Sequence, residues 1–178
     1  MRYSSVAALL FTLCVCANGA RAESADSGKA VAIAMPVIAG GVTLLHDWDW
    51  QGAKQLAADT VLTVGTALIL KQIVREQRPD GSDMHSFPSD TEALAFAPAA
   101  FLWDRYGWEY GVPAYLAAGY VGYERVHSKQ HHWWDVAASA GIGFAYSKLI
   151  TSQYHHRRFY TDIYASGDGA YVKFGYAL

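Results

Sequence analysis

The chain has 178 residues, enough for one domain with an ordinary core. Its 14 Lys and Arg face 16 Asp and Glu, a formal charge of −2, which excludes nucleic-acid binding through a general basic field. Both cysteines, Cys14 and Cys16, fall in the first 22 residues, so the remainder offers no disulfide framework, zinc–thiolate centre or cysteine nucleophile.

Residues 1–22 read as a secretory signal: Arg2 is a positive n-region, Val6 onward is apolar, and Ala20-Arg21-Ala22 is a small-x-small cleavage site before Glu23. The apolar core is short for a retained anchor, and neither cysteine follows a small residue as a lipoprotein anchor would require. Cleavage removes Arg2 and Arg21, so 12 basic residues then face 16 acidic ones, a formal charge of −4. Any anion site must therefore be a local cluster. The expected location is periplasmic or otherwise exported.

Five apolar segments follow, at 30–45, 53–74, 92–103, 110–123 and 136–150. Each is rich in Ala, Leu, Val and Gly and is bounded by turn or charge signals, which predicts helices. The expected fold class is mainly α: a compact bundle of about five core helices, forming one domain over 23–158. The longest uncharged run after the signal, 30–45, is short of the roughly 20 residues a membrane span needs, which favours a water-soluble bundle. Trp48, Trp50, Trp103, Trp108, Trp133 and Trp134 lie near helix ends. They read first as core and rim aromatics, and leave peripheral membrane contact open. Residues 159–165 and 171–178 are β-prone and joined through Ser166-Gly167-Asp168-Gly169, which predicts a C-terminal hairpin over 159–178. Two strands cannot stand alone, so the hairpin must lie on the bundle or pair with another chain.

Three polar elements interrupt the apolar pattern. Lys71 and Arg78, seven apart on one predicted helix, leave the same face and can hold two oxygens of one phosphate, though a solvated helix face often looks the same. Ser89 is a natural N-cap, and Glu92 three residues later would complete a capping box. A helix N-terminus also offers N–H groups to a phosphate, but Asp90 and Glu92 put carboxylates there. In the third element His131 and Asp135 are four apart at a helix start, so Asp135 can orient one ring nitrogen and free the other to attack. Arg125, six residues earlier, can reach the same anion. The pair reads equally as a buried hydrogen bond, or as half a metal site completed by His127, His132 or His155.

Taken in order, Lys71-x6-Arg78-Pro79, Pro88-Ser89 and Arg125-x5-His131-x3-Asp135 resemble the signature of the type 2 phosphatidic acid phosphatases, relatives of the vanadium-dependent haloperoxidases. The resemblance covers roughly residues 53–150. It implies a helical bundle and a phosphatase with no metal or other cofactor, in which vanadate can stand in for phosphate. By the same resemblance His131 is the nucleophile that becomes phosphohistidine and Asp135 orients it. Lys71, Arg78, Ser89 and Arg125 bind the phosphoryl oxygens. The implied partner is a phosphorylated lipid, or a small phosphate or diphosphate, and not nucleic acid.

Two departures bear on activity. Asp90-Thr91 stands where the family has Gly-His, and that His is the general acid; a threonine hydroxyl cannot replace it near neutral pH. Glu124 stands where the family usually has Ser. General acid catalysis is worth about 10²–10⁴-fold, so an alkyl phosphate should be hydrolysed poorly unless Asp90, Glu92, His85 or His127 substitutes. A good leaving group, such as a diphosphate, would reduce that need. The alternatives are a degenerate protein that only binds phosphate or a phospholipid headgroup, a haloperoxidase and a zinc site.

Overall fold

The computed structural model describes residues 24–47 and 50–154, with the backbone alone at 158–166 and 169–177; side chains are described for 27–45 and 50–154. The expected signal, its cleavage site, Trp48 and His155 lie outside the described residues. Five helices follow one another: α1 (Ser24–Asp47), α2 (Trp50–Ile73), α3 (Asp90–Tyr106), α4 (Trp108–His127) and α5 (Trp133–Ile150). The mainly helical class is as expected from the sequence. The backbone at Arg158–Ser166 and Gly169–Ala177 is written as two antiparallel strands, β1 and β2. No side chain of theirs is described, so the expected hairpin is not established and is not counted in the fold.

Helix α3 is the hub: α1, α2, α4 and α5 all pack against it. Its alanines explain how. Ala93, Ala95, Ala97, Ala99 and Ala100 are fully buried, and side chains that short let neighbours approach on every side. Larger groups fill the gaps that remain, with Phe96 and Trp103 both set against Tyr115 of α4 at ring separations of 5.1 and 5.6 Å. Helices α3 and α4 are joined by Gly107 alone, at φ 84° and ψ −167°, a conformation open in practice only to glycine. At the same end Arg105 is buried and donates to Gln55 Oε1 (3.0 Å) and the Ser152 carbonyl (3.1 Å), tying α2 and the end of α5 to α3.

The outer surface bears on the expected water-soluble bundle. Among the described residues, two helices are long and apolar enough to cross a membrane by length and composition, over Ser27–Leu45 and Trp50–Ile73. Of the three charges in α2, Asp59 and Lys71 are buried and leave its outer face uninterrupted beyond the exposed Lys54 near its start. Val61, Leu62, Leu68 and Ile69 are left exposed there, as are Ile33, Val37 and Leu45 on α1. Val112, Leu116, Tyr120 and Tyr123, three or four apart, form a third exposed stripe along α4. Counting uncharged runs underestimates this apolarity, since one buried charge ends a run without touching the surface.

The closest approach of α3 and α4 is testable. A Cβ on Gly111 would lie 2.8 Å from the Trp103 Cα, a backbone atom that cannot swing aside. Gly111→Ala should destabilise the protein by about 1–3 kcal/mol, read from denaturant unfolding midpoints.

Candidate active site

The polar residues collect where α2 ends, α3 begins, α4 ends and α5 begins. Ser89 caps α3 as its type predicts, its Oγ accepting from the Glu92 N–H at 3.3 Å. The reciprocal half of the expected capping box is missing. The Ser89 N–H donates instead to the Asp135 carbonyl (3.4 Å), and the Ser89 carbonyl accepts from Ser139 Oγ (2.7 Å). The Glu92 carboxyl turns into the core toward Gly122 and Val136, where burial pushes it up to about 8.

Two further expectations about local geometry give way. Helix α2 stops at Ile73, so Lys71 and Arg78 do not share a helix face. Pro79 disfavours helical backbone at Arg78, which turns through the Gly81 N–H bond to its own carbonyl (2.9 Å). Arg78 Nε then donates to Asp83 Oδ1 at 2.9 Å. His131 also lies outside a helix, because α5 begins at Trp133 with His132 as its N-cap. Its main-chain N–H donates to the Arg125 carbonyl (3.2 Å), and Arg125 belongs to the last turn of α4.

His131 and Asp135 nevertheless meet. Nδ1 of His131 is 3.5 Å from Asp135 Oδ2, with both side chains buried. Oδ2 already accepts from Ser86 Oγ (2.5 Å) and from the His132 N–H (2.8 Å), while Asp135 Oδ1 and His131 Nδ1 have no hydrogen-bond partner among the described residues. Burial pushes His131 down to about 4, helped by the positive charges of Lys71 and Arg78 and opposed by Asp135 and Asp90. The imidazole is therefore neutral near pH 7, the form in which a ring nitrogen is nucleophilic.

Each nearby cation has a carboxylate. Lys71 Nζ is 2.5 Å from Asp90 Oδ1. Arg78 pairs with Asp83. Arg125, fully buried, donates through Nε (2.9 Å) and Nη2 to Glu124 Oε2 and through Nη1 to Gln130 Oε1 (2.9 Å). A side chain at Gly28 of α1 would collide with that Glu124 carboxylate, so α1 closes over the pair. Burial works to raise Asp90, but the bond and charge of Lys71 outweigh it and hold the carboxyl below its ordinary range.

The other residues singled out in the sequence stand elsewhere. His85 is exposed, with Nδ1 3.9 Å from Asp83. His127 stacks on Tyr123, ring centres 5.5 Å apart. Among the described residues the metal-type donors that gather are Glu76, His132 and Asp135, with His132 Nδ1 3.6 and 3.5 Å from the two carboxylates. One oxygen of each carboxylate already accepts a hydrogen bond, Asp135 Oδ2 from Ser86 and the His132 N–H and Glu76 Oε1 from Trp134 Nε1 at 2.7 Å. Sequence reasoning missed Ser86, since nothing local marks a serine forty-nine residues away as the partner of Asp135.

The PAP2 superfamily model matches residues 74–159, a stretch that includes Arg78, Ser89, Arg125, His131 and Asp135 and begins just after Lys71. The chain is 28% identical over 135 residues to a lipid A 4'-phosphatase of Helicobacter pylori, covering 70% of this chain and 68% of that protein. It is 36% identical over 76 residues to a lipid A 1-phosphatase of Porphyromonas gingivalis, covering 40% of this chain and only 17% of that much longer protein. No solved structure matches the chain. The class is that of the phosphatases. The chain belongs to the PAP2 superfamily, the type 2 phosphatidic acid phosphatases.

Removing the Ser86 hydroxyl leaves the buried Asp135 carboxylate with one fewer donor. Ser86→Ala should cost about 1–3 kcal/mol of stability in chemical denaturation.

Proposed function

We propose that this is an extracytoplasmic phosphatase acting on a lipid-linked phosphate or diphosphate through a phosphohistidine on His131. The observation that carries the reading is the buried, neutral His131 beside Asp135, with Lys71 and Arg78 close enough to shift its proton affinity. A hydrogen bond from Nδ1–H to Asp135 leaves Nε2 as the attacking atom; such bonds are often long before substrate arrives. Lys71, Arg78, Arg125 and the Ser89 hydroxyl are the proposed phosphoryl ligands, which stabilise charge as it builds on the oxygens. No metal is assigned a step. The two lipid A phosphatases among its relatives favour a lipid substrate, and so do the apolar stripes on α1, α2 and α4. With the proposed signal removed, the protein remains bound to the outer face of a membrane through those stripes.

The carboxylates on Lys71 and Arg125 favour a second reading, a degenerate phosphate-binding protein whose cations are already neutralised. Turnover separates the two. His131→Ala should abolish phosphate release while the protein stays folded by circular dichroism; undiminished turnover would sink the assignment. If His131 is the nucleophile, the acid limb of kcat/KM should lie near its depressed value of about 4 and not near the ordinary 6.5. On the acid side activity then falls as the ring is protonated. The membrane claim predicts that the protein stays with the lipid pellet after an alkaline carbonate wash.

A further inference from the structure

The family's general acid is missing at Thr91, and the geometry points to Asp90 as its replacement: the Asp90 carboxyl protonates the leaving oxygen once Lys71 has moved from it to the substrate phosphoryl group. This rests on the phosphatase reading above and specifies how that site completes its chemistry.

The candidates are separated by where they stand. Glu92 carries a proton near neutral pH but is only 2% exposed, its carboxyl enclosed by α4 and α5. His85 projects to solvent beside Asp83, and His127 lies flat on Tyr123. Asp90 alone touches a phosphate-site cation and lies within the electrostatic reach of His131. Its side chain is 40% exposed, whereas that of Lys71 is 9% exposed. A group approaching from solvent therefore meets the carboxylate first, with the ammonium behind it.

A phosphoryl dianion bound against His131 offers Lys71 a more highly charged acceptor than one carboxylate. When the ammonium turns to it, Asp90 loses its counterion and gains a negative neighbour, and both changes favour the protonated carboxyl. Lys71 and His131 are the charged or titratable groups that act on Asp90. In the first step His131 Nε2 bonds to phosphorus, the bond from phosphorus to the leaving oxygen breaks, and the Asp90 proton passes to that oxygen. In the second, water attacks phosphorus, gives a proton to the Asp90 carboxylate, and the phosphorus–nitrogen bond breaks to release phosphate. The Asp90 carboxylate takes one proton from solvent as Lys71 leaves it and gives it back when phosphate departs and Lys71 returns, so over the cycle one water is consumed and both residues return to their starting states.

The test compares the full chain with Asp90→Asn on an alkyl phosphate and on p-nitrophenyl phosphate, whose leaving group needs no proton. Asparagine keeps an oxygen for Lys71 but has no acid proton. The expected result is a fall of about 10²-fold or more in kcat on the alkyl ester and less than about 10-fold on the nitrophenyl ester. Asp90→Glu should recover part of the alkyl activity, which a folding defect would not allow. Equal losses on both esters would make Asp90 a positioning residue and overturn the proposal. So would unchanged or increased alkyl turnover, the mark of a carboxylate that merely blocks Lys71. A parent chain hydrolysing neither ester would overturn the phosphatase reading as well. Activity that survives His131→Ala would remove the proposed nucleophile, while the ester comparison would still decide the role of Asp90.

Discussion

The buried Asp135 carboxylate is the junction on which the rest of the site depends. Its Oδ2 accepts from Ser86, at the end of the segment between α2 and α3, and from the His132 N–H at the start of α5. Its carbonyl accepts from the Ser89 N–H at the start of α3 and from Ser139 one turn further along α5. A fully buried carboxylate is costly unless such donors surround it. The chain segments that supply them are therefore drawn to one point, and His131 is held beside that point by its main-chain bond to Arg125. Asp135 thus organises the fold as well as facing His131, and a change there would disturb both.

The departures from the family pattern acquire a physical meaning when burial is considered. Lys71 and Arg125 sit in the interior, where an unpaired cation is expensive. A site that holds a phosphate, as proposed here, must remain stable without one. Glu124 and Asp90 are the carboxylates paired with these two cations, and Asp83 pairs with Arg78. The two pairs are not equivalent. Glu124 is as buried as its arginine and is enclosed by α1 at Gly28, so it reads as a fixed counterion that positions Arg125. Asp90 is partly open, and its hold on Lys71 can be exchanged.

Most of the helices were legible because their cause is local. The apolar segments 30–45, 53–74, 92–103, 110–123 and 136–150 each lie within a helix apart from the last residue of 53–74, and Ser89 announced the start of α3 by its type alone. The spacing of Lys71, Arg78, Arg125, His131 and Asp135 marks them as a group, but it misplaces two of them on helices. Arg78 and His131 lie off the helices, and they reach the site through main-chain bonds to Asp83 and Arg125. Glu92 fits a capping box by sequence, but the Asp135 carbonyl takes the N–H it would have used. Each failure has one origin: a partner from a distant segment displaced the local one, and single-sequence patterns carry no record of such partners.

The arrangement of apolar and polar surface bears on the proposed substrate. Lys71 lies at the end of α2, Asp90 at the start of α3, Arg125 at the end of α4 and His131 just before α5, so the site occupies one end of the bundle. The opposite end is closed by the Arg105 cluster with Gln55 and Ser152. Between them the exposed stripes of α1, α2 and α4 run parallel to the helix axes. The exposed Trp133 and Trp134 flank the site at the start of α5, where amphipathic rings suit a boundary between hydrocarbon and water. An amphiphile lying along the stripes would have its phosphate at the level of His131. A small soluble phosphate would need the pocket but none of the apolar surface. Because the apolar surface extends well beyond what the pocket requires, its geometry favours a lipid-linked substrate.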